Sequence, residues 1–70
     1  MDSTYKVIQL IGSSSESWEK AAASAIAKAA KSLRDLRIAE VLEMDMQIED
    51  GKVRGYRTKV KVSCKYHGKE

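Results

Sequence analysis

The sequence predicts an α+β fold of β-α-β-β order, and three observations carry it. Tyr5 to Ile11 (YKVIQLI) is an apolar, β-branched run. A helical apolar period follows it. Two long alternating runs, Arg37 to Glu49 and Lys52 to Lys65, then flank Asp50-Gly51. Asp-Gly between such runs marks a hairpin, because a tight primed turn needs positive φ.

The first run reads as a strand. Gly12 and Ser13-Ser14-Ser15 punctuate it and supply N-cap candidates. The helix is expected from about Glu16 to Leu33. Trp18, Ala22, Ala25, Ile26, Ala29 and Leu33 recur on one face at helical spacing. That face is mostly alanine, which allows close packing. Glu16, Glu19, Lys20, Lys28, Lys31 and Arg34 suit the other side, with Lys31 and Arg34 in the last turn, where cations are favoured.

With Asp50-Gly51 as a two-residue loop, Val41 faces Val60, Ala39 faces Val62 and Glu40 faces Lys61. The first two pairs make an apolar surface for the helix. The third falls on the opposite face as a favourable cross-strand pair. Strict alternation then puts Ile38, Leu42, Met44, Met46 and Ile48 on that opposite face, against Arg57, Lys59, Lys61 and Ser63. Burying each large apolar side chain is worth on the order of 1.5–3 kcal/mol. Their periodic placement predicts an interface.

Seventy residues suffice for one domain, taken as residues 1–70. A core this small is marginal without a disulfide, a metal or association. A single cysteine, Cys64, forbids an intrachain disulfide, and a single histidine, His67, forbids a Cys/His zinc site within one chain. Self-association is the expected stabiliser. No apolar stretch approaches the roughly 20 residues that span a bilayer. No secretory leader opens the chain, so a cytoplasmic location is expected.

Nucleophilic catalysis is not expected. Cys64 and His67, three apart on a strand, point to opposite faces and form no dyad. Cys64 reads as structural and His67 as a solvated tail residue. Glu40, Glu43 and Asp45 are candidate oxygen donors for a hard cation such as calcium, where symmetry brings copies together. A net charge of +3 and the basic run Arg54, Arg57, Lys59, Lys61 and Lys65 allow a nucleic-acid reading. The lack of Phe and of a base-stacking aromatic set disfavours it.

The segments YKVIQLIGSSSESWEKAAASAIAKAAKSL and RIAEVLEMDMQIEDGKVRGYRTKVKVS together resemble the dodecins over nearly the whole chain. The resemblance implies a curved antiparallel sheet wrapped around one helix and a hollow homododecamer with helices outward. It implies a non-enzymatic binding or storage role, usually for riboflavin, FMN or FAD held in pairs at two-fold interfaces.

This chain departs from the flavin-binding pattern. Aligning IAEV with the usual WAEV or WFEV puts Ile38 where a tryptophan stacks on the flavin. Aligning GYRTKVKV with YQ-x-x-V-x-V puts Arg57 where a glutamine bonds the flavin edge. Asp45 and Lys65 match arginines that help hold phosphate-bearing ligands in some bacterial members. Ile38 has no π face, and Arg57 is donor-only. Ile38, Arg57 and the helix opening SWEKAAA are similar to the calcium dodecin subgroup. The expected ligand pocket is therefore an altered one, lined by Ile38, Leu42, Met44 and Arg57 and suited to a small, partly apolar anion.

Overall fold

The computed structural model describes residues 3–66, so His67 lies outside the described residues. Strand β1 (Tyr5–Ser14) is followed by helix α1 (Trp18–Ala29), β2 (Leu36–Glu49) and β3 (Lys52–Lys65). The strands form one antiparallel sheet in the order β1-β3-β2. The predicted β-α-β-β fold and the Asp50-Gly51 turn are both present. Asp50 and Gly51 have φ of 50° and 73°, as a primed turn requires.

The start of the helix differs from expectation. Gly12, Ser13 and Ser14 continue β1 rather than ending it. The N-cap is Ser17, not one of Ser13–Ser15. Its hydroxyl accepts from the Lys20 amide at 3.1 Å. Ser14 instead accepts from the Glu16 amide at 2.9 Å and bends the chain into the helix. At the other end, Lys31 and Arg34 lie beyond the last helical residue, which leaves Lys28 in the last turn. Asp35, with φ of 57°, sits in the left-handed region just before β2.

The helix lies on β1 and β3. Ala21, Ala25 and Ala29 are its buried positions, and Ala21 was not among the predicted ones. Val60 and Val62, each 1% exposed, form the floor with Ile8, Leu10, Ala22, Ile26 and Leu36 around them. Cys64 is buried in the same row of β3, as its structural reading expects. Gly12 shows how closely strand and helix approach. A Cβ there would stand 2.0 Å from the Ala21 carbonyl oxygen. Its missing side chain permits the contact.

Strand β2 is left uncovered. A 12-residue helix spans about 18 Å, whereas a 14-residue strand reaches about 46 Å. From Arg37 to Glu49 every residue of β2 is exposed, and the protomer measures 53 × 20 × 15 Å. A long edge strand with unpaired amides is a template for pairing or burial against another chain.

The hairpin carries irregularities that strict alternation misses. Ala39↔Val62, Glu40↔Lys61 and Val41↔Val60 pair as predicted. The register then shifts between Val41 and Glu43, leaving Leu42 as an extra residue, so Glu43 meets Lys59, Met44 meets Thr58 and Asp45 meets Arg57. One extra residue exchanges the faces of the side chains beyond it. Met44 and Met46 therefore share the helix-side face with Thr58 and Tyr56, which corrects their predicted placement away from the helix. Glu43 and Asp45 join Glu40 on the outer face. Two further shifts occur, one at Arg37 near the start of β2 and one at Arg54, the latter returning the pairing to the original register before the turn.

Candidate functional site

The outer face of the hairpin is a ladder of opposite charges. Glu40, Glu43 and Asp45 on β2 stand across from Lys61, Lys59 and Arg57 on β3. The bulge at Leu42 builds this match. Cations at two-residue spacing can face acids at positions 40, 43 and 45 only if β2 carries one extra residue. That mismatch of spacings is a signal in the sequence that strict alternation overlooked.

The Asp45–Arg57 rung has the best geometry. Arg57 Nε donates to Asp45 Oδ1 and Nη2 to Oδ2, both at 2.8 Å. This two-point fork holds a guanidinium in a fixed plane. The Glu40–Lys61 pair is looser, at 3.6 Å. Arg57, chiefly through its hydrogen bonds, holds the Asp45 carboxyl below the usual carboxylate range, and Asp45 raises Arg57 in return.

This gives a pH dependence with a definite sign. Asp45 titrates lower folded than unfolded. Its contribution is complete above the unfolded value of about 3.9 and is lost as pH falls through the lower folded value. Acid unfolding followed by circular dichroism is expected to be steeper below about pH 4 in the native chain than in Asp45→Asn. Identical acid limbs in the two proteins would show that the pair contributes nothing.

On the other face lies an apolar cleft of about 500 Å³ between the helix and β2, lined by Trp18, Glu19, Ala22, Val41, Met44 and Thr58. Trp18 organises it. Its indole Nε1 donates to the Asp45 carbonyl at 2.9 Å, and its ring meets Tyr56 edge-on at 5.1 Å. The Trp18 carbonyl accepts from the Thr58 hydroxyl at 2.9 Å. Trp18 thus packs within the protomer, as expected, and ties the helix start to both strands of the hairpin. Sequence reading did not single out Tyr56 or Thr58. Their signal was the even-numbered row of β3 that also contains Val60, Val62 and Cys64.

The structure brings only some of the predicted site residues together. Asp45 and Arg57 are in contact. Met44 is on the cleft face, apart from them. Leu42 occupies the bulge. Ile38 pairs with Ser63, six residues along β3 from Arg57, or about 20 Å away. It borders a shallow hollow with Ile26, Leu36 and Val62. Lys65 lies opposite Tyr5, about 26 Å from Arg57 along the strand. A pocket uniting Ile38, Arg57 and Lys65 requires more than one copy of the chain.

The cation donors pose the same problem. Among the described residues, no three His, Cys, Asp or Glu side chains are grouped to hold a metal ion. Both Asp45 oxygens are engaged by Arg57, and Glu40 leans toward Lys61. The carboxylates of a single protomer do not fit a calcium ion. Among the described residues, no helix is long and apolar enough to cross a membrane.

Comparison with known proteins places this geometry. The chain is 48% identical over 63 residues to the calcium dodecin of Mycobacterium tuberculosis, covering 90% of this chain and 89% of that one. The crystal structure of the M. tuberculosis calcium dodecin, with a novel calcium-binding site, superposes with a TM-score of 0.84 at 46% identity, covering 97% of each chain. The dodecin of Streptomyces coelicolor superposes with a TM-score of 0.92 at 29% identity, again over 97% of each chain. The dodecin family model matches residues 4–67. A match across almost the whole chain, together with the shared strand-helix-hairpin geometry, makes this protein a member of the dodecin family.

Proposed function

We propose that this chain assembles into a homododecameric, non-enzymatic shell that binds or stores a small ligand at its subunit interfaces. The observation that carries the reading is strand β2, exposed along its length from Arg37 to Glu49. Ile38 is 69% exposed and Met44 58%, and the candidate residues are too far apart to form a pocket in one protomer. Copies of the chain both bury this surface and complete the site.

For the ligand, a hard cation of the calcium type is favoured over a flavin. The likeness to a calcium dodecin supports the cation, with donors drawn from more than one copy. Ile38 and an Arg57 already engaged by Asp45 count against flavin stacking of the family type. Sedimentation tests the assembly: a stable, well-folded lone protomer at dilute concentration would remove the whole reading. Calorimetric titration with calcium tests the ligand: a folded oligomer that shows neither heat nor a thermal shift with calcium would remove the cation.

A flavin measurement checks the reading of the altered positions. Ile38→Trp combined with Arg57→Gln restores a stacking face and an amide edge. Riboflavin affinity, followed by fluorescence quenching, is expected to rise about tenfold, equivalent to about 1.4 kcal/mol. No gain in a properly assembled double variant would mean that other residues set the pocket.

A further inference from the structure

We infer that Asp45 is a specificity residue: by occupying the Arg57 guanidinium, it closes the outer face of the hairpin to oxyanion ligands, including phosphate-bearing ones. The inference deepens the proposed function and rests on it in one respect, that the outer face looks onto the ligand.

The argument begins with geometry. An isolated exposed arginine offers a fork of donors that suits phosphate, sulfate or carboxylate. Here Nε and Nη2 are both directed at Asp45, each at 2.8 Å. An incoming oxyanion must either displace a carboxylate already held at two points on the neighbouring strand or take the remaining N–H donors of a guanidinium whose charge that carboxylate offsets. The surroundings offer little compensation. The three basic rungs Arg57, Lys59 and Lys61 face three acidic rungs, Asp45, Glu43 and Glu40, so this stretch has no net positive charge to attract an anion. The strand positions fix the arrangement, because the bulge at Leu42 brings Asp45 into register with Arg57.

The remaining side of Arg57 offers no substitute cation. Its partner on β1 is Ser13, and the next β1 residue on that face, Ile11, is apolar and exposed. Neutralising Asp45 both releases the guanidinium and leaves one uncompensated positive charge per protomer. On this face, one carboxylate thus stands between the guanidinium and an oxyanion.

The test uses sulfate as the probe, with binding read by calorimetry on the assembled protein. Asp45→Asn and Asp45→Ser are expected to bind sulfate at least about tenfold more tightly than the native chain, with the gain weakening as chloride rises. The exchange variant carrying Asp45→Arg and Arg57→Asp keeps the pair with its polarity swapped, and it is expected to bind sulfate no better than the native chain. The inference is overturned if the native chain binds sulfate as tightly as the single variants, if folded single variants gain nothing, or if the exchange variant gains as much as they do. Oligomer mass and calcium binding are measured on the same samples. Loss of assembly in the native chain would count against the proposed function, whereas unchanged sulfate affinity in an assembled variant counts against Asp45.

Discussion

Gly12→Ala is expected to undock the helix from the sheet and cost about 3 kcal/mol or more, the upper end for overpacking a tight contact. The added Cβ would stand 2.0 Å from the Ala21 carbonyl oxygen and 3.0 Å from the Ala25 Cβ. The first obstacle is backbone, which cannot rotate away as a side chain can. Relief requires the helix to lift from β1, and lifting it exposes Ala21, Ala25 and the valine floor beneath. These are the buried core positions of a small chain. With total stabilities of about 5–15 kcal/mol for domains in general, a loss of this size is severe. Chemical denaturation of the assembled variant is the check. A midpoint equal to that of the native protein would show that the strand and helix are less tightly apposed than described.

Trp18→Ala is expected to rank next, at about 2–3 kcal/mol, below the roughly 3–5 kcal/mol typical of a fully buried tryptophan because Trp18 is only half-buried. The truncation removes the edge-on contact with Tyr56 and the indole bond to the Asp45 carbonyl. It leaves intact the Thr58 hydroxyl bond, which uses the Trp18 backbone. The indole is the part of the helix that hydrogen-bonds to β2, so its loss releases the hairpin more than the core. Trp18→Phe separates the two contributions, since it retains a ring but no N–H donor. Hydrogen exchange is expected to rise in β2 around Asp45 in both variants, and more in Trp18→Ala. Unchanged protection there would mean that the hairpin is held by β3 alone.

Much of the fold was legible because its signals are local. Asp50-Gly51 carries its own turn chemistry, and the pairs next to Ala39, Glu40 and Val41 follow from it. The alanine face announced close packing. Gly12 was misread as punctuation, because the same residue that ends a strand also permits a helix to press against one. Only the tertiary contact distinguishes the two. Ser17 was missed as the cap because a run of serines offers several equivalent hydroxyls, and the chain's path selects among them.

The candidate site was legible in its residues but not in its arrangement. Asp45 and Arg57 were both singled out, yet strict alternation set them on opposite faces. No glycine or proline marks the bulge at Leu42, and a bulge is a property of the pair of strands, not of one. Matching the acids of β2 to the bases of β3 was the available clue. The remaining gap is physical: Ile38, Arg57 and Lys65 lie along one strand pair at separations that only a neighbouring copy can bridge.

The extra residue at Leu42 also bears on how such a chain can diverge. A substitution in β2 alters one side chain, and removing Leu42 itself would only straighten the ribbon, since Glu43 would then follow Val41 and still meet Lys59. The thioethers would stay beside the indole and the carboxylates on the far side. A one-residue change of length is thus absorbed at this single point of the ribbon, so lineages can gain or lose the residue without exchanging what each side presents.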